Sequence, residues 1–132
     1  MKLNERLVAL GKALRTFEEF SRENLEENMP KAAFVKAFEY TYELSLKSMK
    51  SYTESRGLES VSPRDAIRNA LKVGLIVDEP LWLSLQKDRN TTAHTYSTDY
   101  LPEMIARMKN LYVKEFQRLL DKLKEELQTE AP

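Results

Sequence analysis

The sequence predicts an all-α protein, an up-and-down bundle of four long helices plus one short helix in a single domain over residues 1–132. Apolar residues recur at three- and four-residue steps through most of the chain, the spacing of a buried helix face. The chain has only three glycines, and 32% of its residues are charged, as expected for long solvated helices. Its length allows a sizeable core without disulfides, and it contains no cysteine.

The first two helices are predicted over about 3–27 and about 32–55. The first has one apolar stripe, formed by Leu3, Leu7, Leu10, Leu14, Phe17 and Phe20. Asn28, Met29 and Pro30 interrupt the pattern and predict a short turn between the helices. The second helix has apolar residues on more than one face, which predicts a central position with several neighbouring helices.

The third helix is predicted to be short and to run from Pro63 to about Val73. Ser62 can cap the free amides at its start, proline suits the first helical position, and Asp65 complements the positive end of the helix. Gly74 marks its end. The apolar link at 75–77 has the composition of a strand, but no neighbouring segment offers to pair with it.

Two more helices complete the predicted bundle. Asp78, Glu79 and Pro80 open the fourth, whose helical character should persist to about Tyr96. Its inner face consists of Leu81, Trp82, Leu85 and Thr92. The last helix runs from about Tyr100 to Leu127, and its apolar stripe consists of Ile105, Met108, Leu111, Tyr112, Phe116, Leu119, Leu120 and Leu123.

Composition excludes several classes of function. The 21 basic and 21 acidic residues give a net charge of zero, so no global field attracts nucleic acid or an anionic membrane. Contact with nucleic acid must therefore come from a local patch, completed by a partner or a second copy. No apolar run is long enough for a membrane span and the N-terminus does not resemble a signal peptide, so we expect a cytoplasmic protein.

Metal and cofactor chemistry is not indicated. The lack of cysteine excludes thiolate catalysis and cysteine-ligated zinc. No glycine-rich phosphate loop is present, and one histidine cannot form a multi-histidine metal site. We therefore expect neither a metal nor a cofactor.

The segment from Arg89 to Tyr96 contains the only histidine, His94. Residues five apart differ by about 140° around an α-helix, so Arg89 and His94 should not share one narrow face. Asn90 and His94, four apart, should lie together, as should Arg89 and Tyr96, seven apart. A groove between two helices, or between two subunits, could bring both rows to one ligand.

This segment suits chemistry on RNA. A neutral imidazole can take the proton of a ribose 2′-hydroxyl or give one to a leaving oxygen, and the reaction needs no metal. The Arg89 guanidinium can hold a phosphate, and Asn90 can position either group. A single histidine near a helix end is also typical of a surface or capping residue, and the residues alone leave both interpretations open.

Other polar residues could support such a site. Glu39 and Glu43 lie on one row of the second helix and could face the motif helix and pair with Arg89. Asp88 is either a second polar site residue or a surface residue. The cations that share helix faces, such as Arg64 with Arg68, could meet RNA or an acidic partner, although solvated charge is the favoured interpretation. Three aromatic residues are predicted to be core rather than ligand contacts: Phe38, Tyr42 and Trp82.

Arg89-Asn90, followed by His94 and Tyr96, is similar to the R-x4-H-x-Y motif of HEPN proteins. Other blocks resemble the HEPN subgroup called nucleotidyltransferase substrate-binding proteins. These blocks are the stretch from Phe38 to Leu44, Ser62-Pro63-Arg64-Asp65, Gly74-Leu75-Ile76 and Leu81-Trp82. The resemblance covers nearly the whole chain, with the blocks in the right order.

The resemblance implies a homodimer whose two motifs face each other, and a minimal nucleotidyltransferase (MNT) as partner. Such proteins either bind substrate for the nucleotidyltransferase or act as metal-independent endoribonuclease toxins in a toxin–antitoxin pair, with RNA as substrate. In the second case the partner transfers AMP to the motif tyrosine. By position, Arg89 and His94 would be catalytic, Asn90 supportive, and Tyr96 the modified residue, with Asp88 and Glu43 as further supporting residues. Zero net charge fits a free RNA-cutting enzyme poorly.

Overall fold

The computed structural model of the chain describes residues 3–94 and 100–130. Its helices, in chain order, are α1 (Leu3–Phe20), α2 (Asn28–Ser55), α3 (Pro63–Lys72), α4 (Glu79–Ala93), α5 (Pro102–Arg107), a π-helical turn (Met108–Tyr112) and α6 (Val113–Glu130). Because α5, the π-helical turn and α6 form one continuous rod, the predicted bundle of five helices with a short third helix is confirmed. The described residues contain no strand, and none of their helices is both long and apolar enough to cross a membrane.

The junction between α1 and α2 differs from the prediction. α1 ends at Phe20 rather than near Glu27, because the Asn24 side chain accepts the amide of Glu26 at 3.2 Å, a local bond that favours a turn over a helix. α2 already begins at Asn28, so the turn predicted at 28–30 is wrong. Pro30 is tolerated in the first helical turn, where a backbone amide has no acceptor within the helix.

The boundaries of the short third helix follow the prediction. The Ser62 hydroxyl accepts the amide of Asp65 at 3.1 Å and caps the start of α3. Beyond its end, Gly74 adopts a φ of +80°, which costs glycine little and lets the chain leave the helix. In the same way, Asp78 accepts the amide of Leu81 at 3.0 Å and caps α4.

The core forms around α2, which contacts α1, α3, α4 and α6 and is central as predicted. Its aromatic centre joins three helices. Phe17 of α1 stacks on Phe34 of α2 with ring centroids 4.8 Å apart, and Phe38 of α2 lies 6.3 Å from Phe116 of α6. The Trp82 ring of α4 packs edge-on against the Phe116 ring, with ring centroids 6.1 Å apart, and this contact connects α4 to the same core.

The π-helical turn in the last rod was not predicted. Met108 and Tyr112 at its two ends are fully buried. Leu111, which we expected on the buried stripe, is 48% exposed. The wider turn shifts the helical register and rotates Leu111 outward, so its predicted burial is wrong. The same turn brings Tyr112 to the motif helix α4.

Candidate functional site

The polar residues of α4 point in three directions. Asp88 is buried at 4% exposure and faces the rod of the last helices. Arg89 is half-buried and faces α2. Asn90 and His94 are exposed. Each direction has its own surroundings and its own chemical possibilities.

Asp88 anchors α4 to the rod. Arg107 donates to both of its carboxylate oxygens, at 2.9 and 2.8 Å, and the Tyr112 hydroxyl donates to it at 2.5 Å. The Ser84 hydroxyl lies 2.7 Å from that of Tyr112 and extends the network. Burial, followed by the hydrogen bond to Asp88, raises the pKa of Tyr112 to about 12, so the phenol stays protonated at neutral pH. A surface position for Asp88 is therefore wrong, while a supporting role at the site stays a prediction.

Two carboxylates of α2 hold Arg89. Its Nη1 donates to Glu39 Oε2 at 3.1 Å, and its Nε lies 3.3 Å from Glu43 Oε1, an ion pair without hydrogen-bond geometry. The same Glu39 oxygen accepts the hydroxyl of Thr92 at 2.8 Å. The predicted pairing of Arg89 with these two acids is thus confirmed. Their two negative charges more than compensate its single positive charge.

Tyr42 adds a buried hydroxyl beside this ion pair. Its side chain is 2% exposed, as predicted for a core residue. Burial, followed by the charge of Glu43, raises the pKa of its phenol, and the charge of Arg89 opposes that rise. Within the described residues, the hydroxyl has no hydrogen-bond partner. Sequence patterns assigned Tyr42 to the core but gave no sign that its polar end adjoins Arg89.

Asn90 and His94 share an open depression of about 530 Å³. Its lining consists of Arg64, Leu83, Gln86, Lys87, Asn90, Thr91 and His94. His94 ends α4, and its backbone amide donates to the Thr91 carbonyl at 3.2 Å. The His94 side chain is exposed to solvent.

Arg89 lies in a different depression, of about 410 Å³, together with Glu39, Thr92 and Tyr100. One chain therefore brings Asn90 and His94 together and keeps Arg89 apart, as the helical spacing predicted. Tyr96 lies outside the described residues.

Sequence reasoning missed Arg107 and Tyr112 as neighbours of the motif. Their contact with Asp88 depends on the π-helical turn, for which the sequence has no evident signal. In the part of the chain that the structure describes, no group of three or more histidine or acidic side chains could hold a metal ion.

Fold and motif together define a class of protein, an all-α bundle that presents an Arg-Asn…His motif on its fourth helix. Residues 5–125 match the model of the family described as nucleotidyltransferase substrate binding protein like. The chain therefore belongs to this family, the nucleotidyltransferase substrate-binding subgroup of the HEPN proteins.

Three known proteins are similar to this chain. A Haemophilus influenzae protein named Probable ribonuclease HepT is 31% identical over 99 residues, which span 71% of this chain and 67% of that protein. A solved structure from the same organism, described as revealing the fold of a substrate binding domain of a nucleotidyltransferase, is 26% identical. It has a TM-score of 0.65, covering 92% of this chain and 96% of the other.

The third protein is a tri-AMPylated HEPN toxin of Shewanella oneidensis, solved in complex with an MNT antitoxin. It aligns with a TM-score of 0.78 at 11% identity, covering 93% of this chain and 96% of the other. At that identity the likeness concerns the fold alone.

Proposed function

We propose that this chain is the HEPN subunit of a cytoplasmic two-component system with a minimal nucleotidyltransferase, and that it cleaves RNA as a homodimer without a metal. The observation that carries this proposal is the exposed pair of Asn90 and His94 on the open face of α4, with Arg89 on the adjoining face. The family match and the relative named as a ribonuclease support it.

The reaction is a transesterification within the RNA strand. The His94 imidazole takes the proton of a ribose 2′-hydroxyl, and the 2′ oxygen attacks the adjacent phosphorus. The bond from phosphorus to the 5′ oxygen breaks, and a protonated imidazole returns a proton to that leaving oxygen. The products are a 2′,3′-cyclic phosphate and a 5′-hydroxyl. A guanidinium offsets the charge that grows on the phosphate oxygens, and Asn90 orients the imidazole or the substrate.

Two copies of the chain are needed in this mechanism. Arg89 and His94 of one copy open into different depressions, and Arg89 is already paired with Glu39 and Glu43. A dimer in which the two α4 ends face each other places the Arg89 of one copy near the His94 of the other. In such a site a substrate phosphate competes with two carboxylates for the guanidinium.

Mixing two inactive variants tests this arrangement. Arg89→Ala and His94→Ala should each abolish cleavage of a fluorescent RNA and relieve growth arrest caused by expression of the chain alone. When the two variants are unfolded and refolded together, heterodimers should regain about half the wild-type activity, because one of their two composite sites contains both residues. Cleavage retained in both single variants would show that the catalytic assignment is wrong. Single variants that are inactive and stay inactive after mixing contradict the shared site.

Tyr96 is the proposed site of control by the partner. The nucleotidyltransferase would join the phosphorus of the AMP group of ATP to the tyrosine hydroxyl and release pyrophosphate and a proton. Intact-mass measurement after incubation with partner and ATP should show added AMP units and parallel loss of RNA cleavage. The variant Tyr96→Phe should gain one AMP unit fewer than the wild-type chain. If the variant gains as many AMP units as the wild-type chain, the assignment of Tyr96 is wrong.

A second candidate function is a non-catalytic subunit that binds substrate for the nucleotidyltransferase. The description of the matching family favours it, as does the neutralisation of Arg89 by two carboxylates. This candidate predicts no RNA cleavage by the purified chain at any metal concentration. It also predicts that His94→Ala leaves both partner binding and stimulation of the partner unchanged.

A further inference from the structure

The depression beside Asn90 and His94 is cationic, although the chain as a whole is neutral. Arg64 of α3 and Lys87 of α4 line it, and none of the described residues that line it is acidic. Both side chains are exposed. Within residues 3–94 and 100–130, no carboxylate lies within ion-pairing distance of either of them.

The arginine of the motif has the opposite surroundings. Arg89 contacts Glu39 and Glu43, and Arg107 of the last rod is bound to Asp88 on both of its carboxylate oxygens. These guanidiniums are compensated within the protein, while the positive charges on the His94 side are left for a ligand. An anion that approaches α4 is therefore attracted mainly by the positive charges of Arg64 and Lys87, which no carboxylate of the described residues compensates.

The remaining lining fits a nucleic-acid strand. The amides of Gln86 and Asn90 offer donors and acceptors in the same depression, and Leu83 offers an apolar contact. Glu79 and Arg64 both line an adjoining depression, but no ion pair forms between them. Because the depression beside His94 is open, it suits an extended polyanion better than a small molecule that needs an enclosed cavity.

We infer that Arg64 and Lys87 bind two backbone phosphates of a single-stranded RNA and direct the strand along α4 to His94. This inference rests on the proposed function for the identity of the polyanion. It assigns phosphate binding to two residues outside the Arg89–Tyr96 motif, one of which belongs to a different helix.

Binding of an uncleavable strand tests the inference separately from catalysis. The probe is a fluorescein-labelled 2′-O-methyl RNA of about twelve nucleotides, which lacks the attacking hydroxyl. Fluorescence anisotropy is measured between about 50 and 200 mM salt. On single strands each phosphate contact contributes about 0.7 to the slope of log affinity against log salt, so Arg64→Gln with Lys87→Gln should lower the slope by about 1.4. The corresponding loss of affinity at 0.1 M salt is about 25-fold.

Two controls match this double variant. Lys12→Gln with Lys124→Gln removes the same charge from exposed positions outside the depression. It should change the affinity less than about twofold, because 0.1 M salt screens charges more than about 10 Å from the strand. Arg64→Lys with Lys87→Arg keeps both charges and should keep the slope. Thermal unfolding of all variants should match that of the wild-type chain, because the replaced side chains are exposed.

The outcomes separate the inference from the proposed function. If the wild-type chain does not cut RNA but loses probe affinity in the Arg64→Gln, Lys87→Gln variant, the binding site holds and the cleavage mechanism fails. If that variant binds the probe as tightly as the Lys12, Lys124 control, or if the wild-type chain does not bind the probe, the inference is overturned. Loss of nucleotidyltransferase binding with unchanged probe affinity also overturns it, since the cations then serve an acidic protein surface.

Discussion

The contact between Asp88 and Tyr112 should be a major source of stability for the motif helix. Tyr112→Phe removes a buried hydrogen bond to a carboxylate and leaves Asp88 bound to Arg107. Hydrogen bonds to charged groups contribute about 1.5–3 kcal/mol, so we expect this substitution to cost about 2 kcal/mol of unfolding free energy. For a domain of this size that corresponds to a fall in Tm of about 7 °C.

Asp88→Asn should cost somewhat more. It removes the negative charge that both Arg107 and Tyr112 engage, and the buried amide cannot accept from all three donors at once. Water can solvate part of the released guanidinium, since the Arg107 side chain is 36% exposed, so we expect about 3 kcal/mol rather than the upper range for a broken buried pair. The double variant should lose less unfolding free energy than the two single variants together, and the difference, the coupling free energy, should be about 1–2 kcal/mol.

Urea-induced unfolding, followed by circular dichroism, measures the free energy of unfolding of the wild-type chain, the two single variants and the double variant. Tyr40→Phe is the matched control, because Tyr40 lies on α2 and is 58% exposed, and it should change stability by less than about 0.5 kcal/mol. If Tyr112→Phe costs no more than Tyr40→Phe, or if the coupling free energy is zero, the hydrogen bond does not anchor α4 to the last rod and our interpretation of Asp88 is refuted.

Three further predictions concern pH, a buried acid and a turn. The pKa of Tyr112 is about 12 in the folded chain and about 10 in the unfolded chain, so its contribution to stability is full below pH 10 and is lost as the pH rises through about 12. In urea titrations from pH 9 to pH 11, the free energy of unfolding should fall, and it should fall less in Tyr112→Phe. Glu115→Ala leaves the buried Trp82 indole N–H, now bound at 2.6 Å, without its acceptor, and should cost about 2 kcal/mol in the same assay. Gly74→Ala places a side chain at a φ of +80° and should lower stability by about 1 kcal/mol, with an unchanged Tm as the contradicting result.

Local chemistry made parts of the fold predictable from the sequence. The start of α3 follows from Ser62 and Asp65, and its end from Gly74, because caps and a positive φ depend on residues a few positions apart. The beginning of α2 was mispredicted because proline stops a helix only after the first turn, and Pro30 falls within that turn. The exposure of Leu111 depends on a π-helical turn, whose register shift apolar spacing does not reveal.

The candidate site shows the same division. Helical periodicity was sufficient to separate Arg89 from Asn90 and His94, because Arg89 and Asn90 lie in α4 and His94 is the residue directly after its end. It also suggested the pairing of Arg89 with the acids of α2, through their i,i+4 spacing. Asp88 binds partners 19 and 24 positions away in the chain, and no local pattern relates residues across that distance.

The distribution of charge around α4 shows how a chain with no net charge can still have a locally cationic face. A net charge of zero argues against an RNA-binding enzyme only if the positive charges are evenly compensated. Here the carboxylates of Asp88, Glu39 and Glu43 pair with Arg107 and Arg89 between the helices of the chain. Among the residues that the structure describes, those lining the depression beside His94 are cationic or neutral. Such a face attracts a phosphate backbone at short range, within a Debye length of about 10 Å at 0.1 M salt, and affinity for RNA should therefore depend on this one depression rather than on the whole surface.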